Sequence, residues 1–378
     1  PDEIEKNLDV NAGKDQGRIF RITPKNGLPR VQPHFARNDL PGVVAHLGHR
    51  NKWWRDTAQR LLVEWQEPET VALAQNLFMT STQPLARLHA MWTLHGLHAL
   101  PDSLLARALK DEHAGVRENA LQIAEARLSS NQEIFSAVLE LANDNDARVR
   151  MQTALALSTW NEPGHEAKQA ALFAIARRDA EDPWTRLALL CGAKGEPLPL
   201  LTKLLLDPQA GSGEKELLAL LARQVGQRGE ATEVAALTQT LAANAHVADS
   251  VATAMLENLA TGLETQTRAS SFNRTKEAAA ALAQLSRNSS IAIARAAWRV
   301  GNALGLSPSS KQKMLLQEAA QHARDTNEST TRRLEYLSLL ELAPFKQREA
   351  ALYKLLEAQQ PRALQLAALK QLSEIEKQ

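Results

Sequence analysis

The sequence has one cysteine, two tyrosines and almost no excess charge of either sign. With Cys191 alone, the chain can form no internal disulfide, no zinc site built from several cysteines and no CxxCH haem attachment. The 44 lysines and arginines nearly balance the 43 aspartates and glutamates. No overall field would therefore draw in nucleic acid or an anionic membrane. No apolar run reaches the roughly 18 residues of a membrane helix.

The residues that are abundant favour helices. Hydrophobic residues make up 44% of the chain and charged residues 23%, which is typical of a folded protein. Alanine, leucine, glutamine, glutamate and arginine outnumber the β-branched and aromatic residues that strands prefer. We therefore expect an all-α chain.

A repeated pattern organises most of the sequence. From Trp54, apolar residues follow at Ala58, Leu61, Leu62 and Trp65, the spacing of a helix that buries one stripe. An arginine follows the first buried position, and this pairing recurs along the chain at Arg55, Arg87, Arg117, Arg150 and Arg186. These arginines are 32, 30, 33 and 36 residues apart. A period of this length predicts an α–α superhelix, a solenoid of helical hairpins in which each unit is buried by its neighbours.

Each arginine helix is expected to be the second of a hairpin. The predicted first helices cover residues 40–47, 69–79, 103–109, 133–141 and 165–176. Aspartates stand in the intervening turns, where they suit helix N-caps. We expect each arginine to bond carboxylates or helix-end carbonyls of the adjacent turn, which would form a ladder.

The pattern weakens after Arg186 and divides the chain into three predicted parts. Residues 1–37 form an N-terminal arm, 38–262 the first part of the solenoid and 263–378 its second part. Gly211, Ser212 and Gly213 predict a flexible joint, and the polar residues 261–275 predict a seam or functional loop. Arg295 restarts the template, Ser307 and Pro308 are expected to open the next helix, and Arg332 and Arg362 extend the series.

The N-terminal arm contains the one predicted strand. Residues 17–22 (GRIFRI) alternate polar and apolar side chains and are closed by Thr23 and Pro24. A single strand has no partner in a helical chain, so we expect it to pack on the first repeat or to belong to a preceding β domain.

Two resemblances follow from these motifs. The turn aspartates and the Val-Arg pairs resemble short bacterial HEAT repeats over roughly residues 38–378. The combination of residues 17–22, 53–62 (WWRDTAQRLL) and 86–94 (ARLHAMWTL) resembles the middle of the planctomycete and verrucomicrobial membrane-bound dehydrogenase-like proteins. Members of that family join a quinoprotein-dehydrogenase-like β-propeller, a HEAT segment and a C-terminal cytochrome c domain with a CxxCH motif.

The second resemblance implies a scaffold and not an enzyme for these residues. Residues 17–22 would be the last propeller strand, and haem c would lie only in a C-terminal domain beyond this sequence. The chain has neither propeller nor CxxCH, so no redox role or cofactor is assigned to any residue in it. Its expected partners are the propeller and cytochrome c domains, or another protein. A periplasmic or cell-envelope location is implied by the resemblance alone.

The candidate binding residues lie on and beside the arginine helices. Trp53 falls off the buried stripe and is the better surface candidate, whereas Trp54 is expected in the core. Tryptophan and arginine are enriched at binding hot spots but are also common in repeat cores. The candidate binding set is Trp53, Arg55, Asp56, Arg87, His89, Arg117 and Arg150.

No catalytic or metal site is predicted. His46 with His49, and His95 with His98, have a spacing that can place two imidazoles on one helix face, but no carboxylate completes either pair. Cys191, seven residues after Trp184, is expected on a buried stripe as a small core residue.

Two other functions remain open: a free-standing module that binds protein or glycan, and a nucleic-acid enzyme similar to the HEAT-fold alkylpurine glycosylases. Acidic residues interleaved with the arginines disfavour the enzyme.

Overall fold

The computed structural model describes residues 25, 32–160, 166–207, 211–244, 246–265, 276–288, 290–308 and 310–373. The described residues form α-helices with short 3-10 extensions and contain no strand. The predicted all-α solenoid of helical hairpins is therefore confirmed. The predicted strand at 17–22 lies outside the described residues.

Odd-numbered and even-numbered helices alternate along the chain, and within each compact unit they form two rows, which we call the odd row and the even row. The odd row contains α1 (Leu40–Ala45), α3 (Glu69–Thr80), α5 (Asp102–Leu109), α7 (Gln132–Glu140), α9 (Glu166–Asp179), α11 (Pro197–Leu206), α13 (Ala231–Ala243), α15 (Lys276–Leu285), α17 (Ser310–His322) and α19 (Phe345–Leu355). The even row contains α2 (Lys52–Trp65), α4 (Pro84–Gly96), α6 (Ala114–Ala124), α8 (Ala147–Ala156), α10 (Pro183–Ala193), α12 (Ser212–Arg228), α14 (Asp249–Glu264), α16 (Ile291–Ala303), α18 (Thr330–Leu340) and α20 (Arg362–Ser373).

Contacts divide the chain into two compact units, Pro1–Leu97 and His98–Gln378. In the first unit, α1 and its 3-10 extension bury Leu40, Val43 and Leu47 against Ala58 and Leu62 of α2. In the second unit, each even helix from α6 onward packs on the next even helix. The predicted boundaries at residues 37 and 262 remain predictions.

Side-chain caps start several of the even helices. Asp146 accepts a hydrogen bond from the backbone N–H of Arg148, and Asp182 accepts one from Thr185 with Pro183 in the first turn. His113, and not the turn residue Asp111, caps α6 by accepting from the backbone N–H of Gly115. These bonds satisfy amide groups that have no partner within the helix, so they fix where the helix begins.

Two helices of the even row cross at a pair of glycines. A Cβ atom on Gly226 of α12 would lie 2.3 Å from the carbonyl oxygen of Leu259, and one on Gly262 of α14 would lie 2.2 Å from that of Arg223. Only residues without a side chain allow the two backbones to approach this closely. The crossing therefore depends on both glycines.

Three local predictions are wrong. Ser212 and Gly213 begin α12 and are not a joint, because Gly213 packs so closely on Ala180 that a Cβ would lie 2.1 Å from its carbonyl oxygen. Helix α14 continues to Glu264, so the polar stretch expected from residue 261 begins later; residues 266–275 lie outside the described part. Ser307 and Pro308 precede the next helix, which begins at Ser310.

Candidate functional site: the arginine ladder and the face beside it

Each template arginine holds the turn that precedes its own helix. The Nη1 atom of Arg150 donates to the carbonyl oxygens of Asp144 at 2.6 Å and Asn145 at 3.1 Å, which lie six and five residues earlier. The same pair of acceptors recurs for Arg55, Arg117 and Arg186, and Arg87 donates to the carbonyl six residues earlier. The arginine thus binds carbonyl groups that the turn leaves without a helical partner.

The other edge of the guanidinium reaches into the next repeat. Arg117 donates through Nε and Nη2 to the two carboxylate oxygens of Asp144, both at 2.7 Å. Arg150 binds Asp179 in the same bidentate way at 2.6 and 2.5 Å. Arg186 reaches Glu216 at 2.6 Å. These bonds run from repeat to repeat and confirm the predicted ladder.

Asp144 belongs to two consecutive rungs. Its side chain accepts from Arg117, while its backbone oxygen accepts from Arg150. The side chain also accepts from the backbone N–H of Asp146 at 2.8 Å. Both carboxylate oxygens are therefore bonded, which is what a nearly buried charge requires.

In the first unit the acceptor is a histidine. The Nε of Arg55 donates to Nε2 of His89 at 3.2 Å, and Nδ1 of His89 lies 2.6 Å from Oε1 of Gln59. Since Nε2 accepts, Nδ1 carries the proton and donates to Gln59. Burial, and then the charge of Arg55, lower the pKa of His89 from 6.5 to about 4. The imidazole is therefore neutral in this rung at neutral pH.

The ladder accounts for five of the seven predicted binding residues. Arg55, Arg87, His89 and Arg150 are buried and Arg117 is half-buried. The structure joins Arg55 to His89 directly and joins Arg117 to Arg150 through Asp144. Their bonds hold turns and repeats together. A direct binding role for these five stays a prediction.

The other two predicted residues lie on the exposed side of α2. Trp53 is 59% exposed, as expected, and its ring makes an edge contact with Phe35 at a centroid distance of 6.1 Å. Asp56 forms an ion pair with Lys52, whose hydrogen bond lowers the pKa of Asp56. Trp54, expected in the core, is half-buried and stacks on His49 at 4.0 Å.

Alignment on the arginines identifies a set of exposed and half-buried positions that the sequence pattern did not predict. Trp53 and Asp56 stand two residues before and one residue after Arg55, and the equivalent residues along the even row are Leu85 and Leu88, Gly115 and Glu118, Arg148 and Met151, and Trp184 and Leu187. Within the second unit, we call Gly115, Glu118, Arg148, Met151, Trp184 and Leu187 the even-helix face. Within the second unit, Trp184 is 70% exposed and Leu187 is 52% exposed.

The sequence reading placed Trp184 and Cys191 on a buried stripe, which is wrong. Thr185 is the buried residue before Arg186, as Val149 is before Arg150, and Trp184 falls off the buried stripe and is exposed. Cys191, seven residues later, is half-buried. Counting from the arginine, and not from the largest apolar residue, would have placed Trp184 on the surface.

The last rungs depart from the template. Arg333, and not the exposed Arg332, is the buried arginine of α18, where it donates to the carbonyl of Ala323 at 3.0 Å and to Oε1 of Gln360 at 2.7 Å. Arg295 joins Glu257 of the preceding even helix at 2.7 Å to Glu341 of the following hairpin at 2.5 Å. The ladder therefore continues with other acceptors.

Within the described residues, no group of three histidine, cysteine, aspartate or glutamate side chains is placed to hold a metal ion. His46 and His49 pack against each other and against Trp54. None of the described helices is both long and apolar enough to cross a bilayer.

Comparison with known proteins agrees with the repeat geometry. Residues 101–190, which contain α5 to α9 and most of α10, match the family model of HEAT repeats. One solved structure similar to this chain is an engineered protein from a structural genomics consortium, with 16% identity and a TM-score of 0.32 over 90% of this chain and 99% of the other. A search of curated proteins found no match. The fold is a HEAT-like solenoid, and the HEAT match falls on the segment with the bidentate arginine rungs.

Proposed function

We propose that this chain is a HEAT-repeat scaffold without its own catalytic site, and that it binds protein partners on the even-helix face. The observation that carries the proposal is the exposure of Trp184 and Leu187 beside a ladder that fixes the helices presenting them. Exposure of the apolar surfaces of Trp184 and Leu187 to water is unfavourable, and neither side chain is part of the repeat core. Tryptophan is the residue most enriched at binding hot spots.

The neighbouring repeat extends this surface. Met151 and Arg148 hold the equivalent positions on α8, which packs directly on α10. Met151 adds a flexible, half-buried apolar side chain, and the exposed Arg148, paired with Asp146 at 3.3 Å, adds charged groups at the rim. This combination of an apolar centre and a charged edge is the usual composition of a protein interface.

For the partners, we propose the propeller and cytochrome c domains of the dehydrogenase-like family. The support is the resemblance of residues 53–62 and 86–94 to that family. In this arrangement the scaffold sets the distance between the two redox domains, and the haem belongs to the cytochrome c domain and not to this chain. A cell-envelope location follows from the same proposal.

The test is a binding titration of this chain with separately purified propeller and cytochrome c domains of that family. Replacement of both Trp184 and Leu187 by serine should weaken binding at least tenfold, because the centre of the apolar patch is lost. The control is Tyr353→Ser, an equally exposed apolar side chain on the odd row of the same unit. Equal binding by wild type and the double variant would refute the proposed face. Failure of both domains to bind would refute these partners.

A further inference from the structure

The last even helix of the described residues, α20, exposes leucines of the kind that the preceding even helix buries. Each even helix from α6 to α18 packs on the even helix that follows it, and α20 packs on α18 and α19. In α18, Leu337, Leu339 and Leu340 are at most 1% exposed. In α20, by contrast, Leu366 is 56% exposed and Leu369 is 50% exposed. Helix α20 therefore carries an uncovered apolar surface.

Apolar residues lie on two sides of α20. Leu364, Ala368 and Gln371 are buried, and the side chain of Gln371 donates to the carbonyl oxygen of Leu337 at 2.7 Å, so this side faces α18. Leu366 is two residues after Leu364 and two before Ala368, which places it on the opposite side of the helix. A helix with one neighbour needs one apolar stripe, whereas apolar residues on two sides are typical of a helix packed between two others.

Two cations flank the exposed leucines. Arg362 is four residues before Leu366 and Lys370 is four residues after it, so the three share one stripe. Both cations are exposed, and neither forms an ion pair within the part of the chain that the structure describes. Glu357, in the turn before α20, is already paired with Lys354. The stripe is therefore apolar in the middle and positively charged at both ends.

We propose that this stripe binds an acidic amphipathic helix of a partner protein. The partner helix continues the even row, since its apolar side chains pack on Leu366 and Leu369 as α20 itself packs on α18. Its carboxylates pair with Arg362 and Lys370. An anionic membrane would also attract two cations, but the regular helix-on-helix packing of the row favours a helix. The surface is separate from the even-helix face and does not depend on the function proposed for that face.

The experiment measures binding of a fluorescent amphipathic peptide to the whole chain by anisotropy. The peptide has about 18 residues, enough to form a helix, with leucines at three- and four-residue spacing and glutamates beside them. Because Glu374 and Glu376 follow α20 outside the described residues, the charge of the stripe is tested with a second peptide that has lysines in place of the glutamates. A third peptide has the acidic composition in scrambled order. We expect saturable binding of the acidic peptide and at least tenfold weaker binding of the other two.

A double variant and a charge reversal locate the contact. Leu366→Ser combined with Leu369→Ser should weaken binding of the acidic peptide at least tenfold and leave the melting temperature unchanged, because both side chains are exposed in the free protein. The matched control is Leu206→Ser combined with Met314→Ser, whose side chains are 63% and 59% exposed on odd helices of the same unit. Lys370→Glu should weaken binding of the acidic peptide severalfold and strengthen binding of the basic one.

Sedimentation with phosphatidylserine and phosphatidylcholine vesicles tests the membrane alternative, and we expect the chain to stay in the supernatant. Three results would overturn the proposal. They are equal affinity of wild type and the leucine double variant, equal binding of the acidic peptide and either comparison peptide, and vesicle binding that the same double variant abolishes.

Discussion

The same arginine forms two chemically different rungs in the two units. In both, Nη1 holds the carbonyls of the preceding turn, but the second acceptor is neutral His89 for Arg55 and the carboxylate of Asp179 for Arg150. The hold on the turn is the constant part of the repeat, and the acceptor in the next repeat varies. The acceptor therefore decides how strongly neighbouring repeats are joined and how the join responds to pH.

Loss of a shared acceptor should have the largest effect. Asp144→Ala removes the carboxylate partner of the half-buried Arg117 and the acceptor of the Asp146 N–H, while the bonds of Arg117 to its own turn remain. Breaking a buried ion pair from one side costs roughly 3–5 kcal/mol. Urea unfolding of the second unit should show this loss. Asp146→Ala in the same turn is the control, and an equal loss from both variants would contradict the special role of Asp144.

The histidine rung should make the first unit sensitive to acid. The pKa of His89 is about 4 in the fold, against 6.5 ordinarily, so the unfolded chain binds the proton more readily. The stability that the low pKa of His89 gives the first unit is complete above pH 6.5 and is lost as the pH falls towards 4. At 1.36 kcal/mol for each pKa unit, the loss is roughly 3 kcal/mol.

The difference between wild type and His89→Gln isolates this contribution. Glutamine keeps an oxygen for Arg55 and does not titrate, while the other histidines remain in both proteins. The free energies of unfolding should converge as the pH is lowered from 7 to 4. A constant difference over that range would show that His89 does not titrate as described.

Replacement of the arginine by lysine should destabilise the two kinds of rung by different amounts. Arg150→Lys loses the bidentate bond to Asp179 and part of the hold on Asp144, at a cost of about 2 kcal/mol. Arg55→Lys loses a bond to a neutral ring and should cost about half as much. Thermal unfolding of the two variants measures the difference. Equal losses would mean that the carbonyl bonds alone determine the strength of a rung.

The smallest effect belongs to the caps. Asp146→Ala removes one side-chain acceptor at the start of α8 and should cost about 1 kcal/mol. Asp146→Ala leaves the bonds of Arg150 intact. The losses in free energy of unfolding from Arg150→Lys and Asp146→Ala should therefore add when the two are combined. Coupling above about 0.5 kcal/mol would show that cap and rung act together.

The helical hairpins could be predicted from the sequence because the signals that define them are local. Aspartate in a turn, proline in a first turn and an arginine at a fixed offset all act within a few residues, and α3, α5 and α7 begin and end within a residue or so of the predicted bounds. The arginine also predicted its own bonds, since the turn carbonyls are always nearby. The exposed position of Trp53 followed from the same helical spacing.

The predictions fail where contacts between residues far apart in sequence determine the position of a side chain. Trp184 was assigned to the core because it is large and apolar, yet the anchor at Arg186 turns it outward. The repeat spacing predicts Arg332 as the template arginine, but Arg333 is the buried one, because only packing distinguishes two adjacent arginines. His89 and Arg55 were both selected, but their bond spans 34 residues and no local pattern reports it.

The double role of Asp144 has a consequence for local opening. If its turn unravels, the side chain releases α6 and the backbone oxygen releases α8 in a single event. Amide hydrogens in these two helices should then exchange with solvent at one common rate, as a single foldon that spans two hairpins. The natural cooperative segment of this stretch is thus larger than the repeat from which it is built.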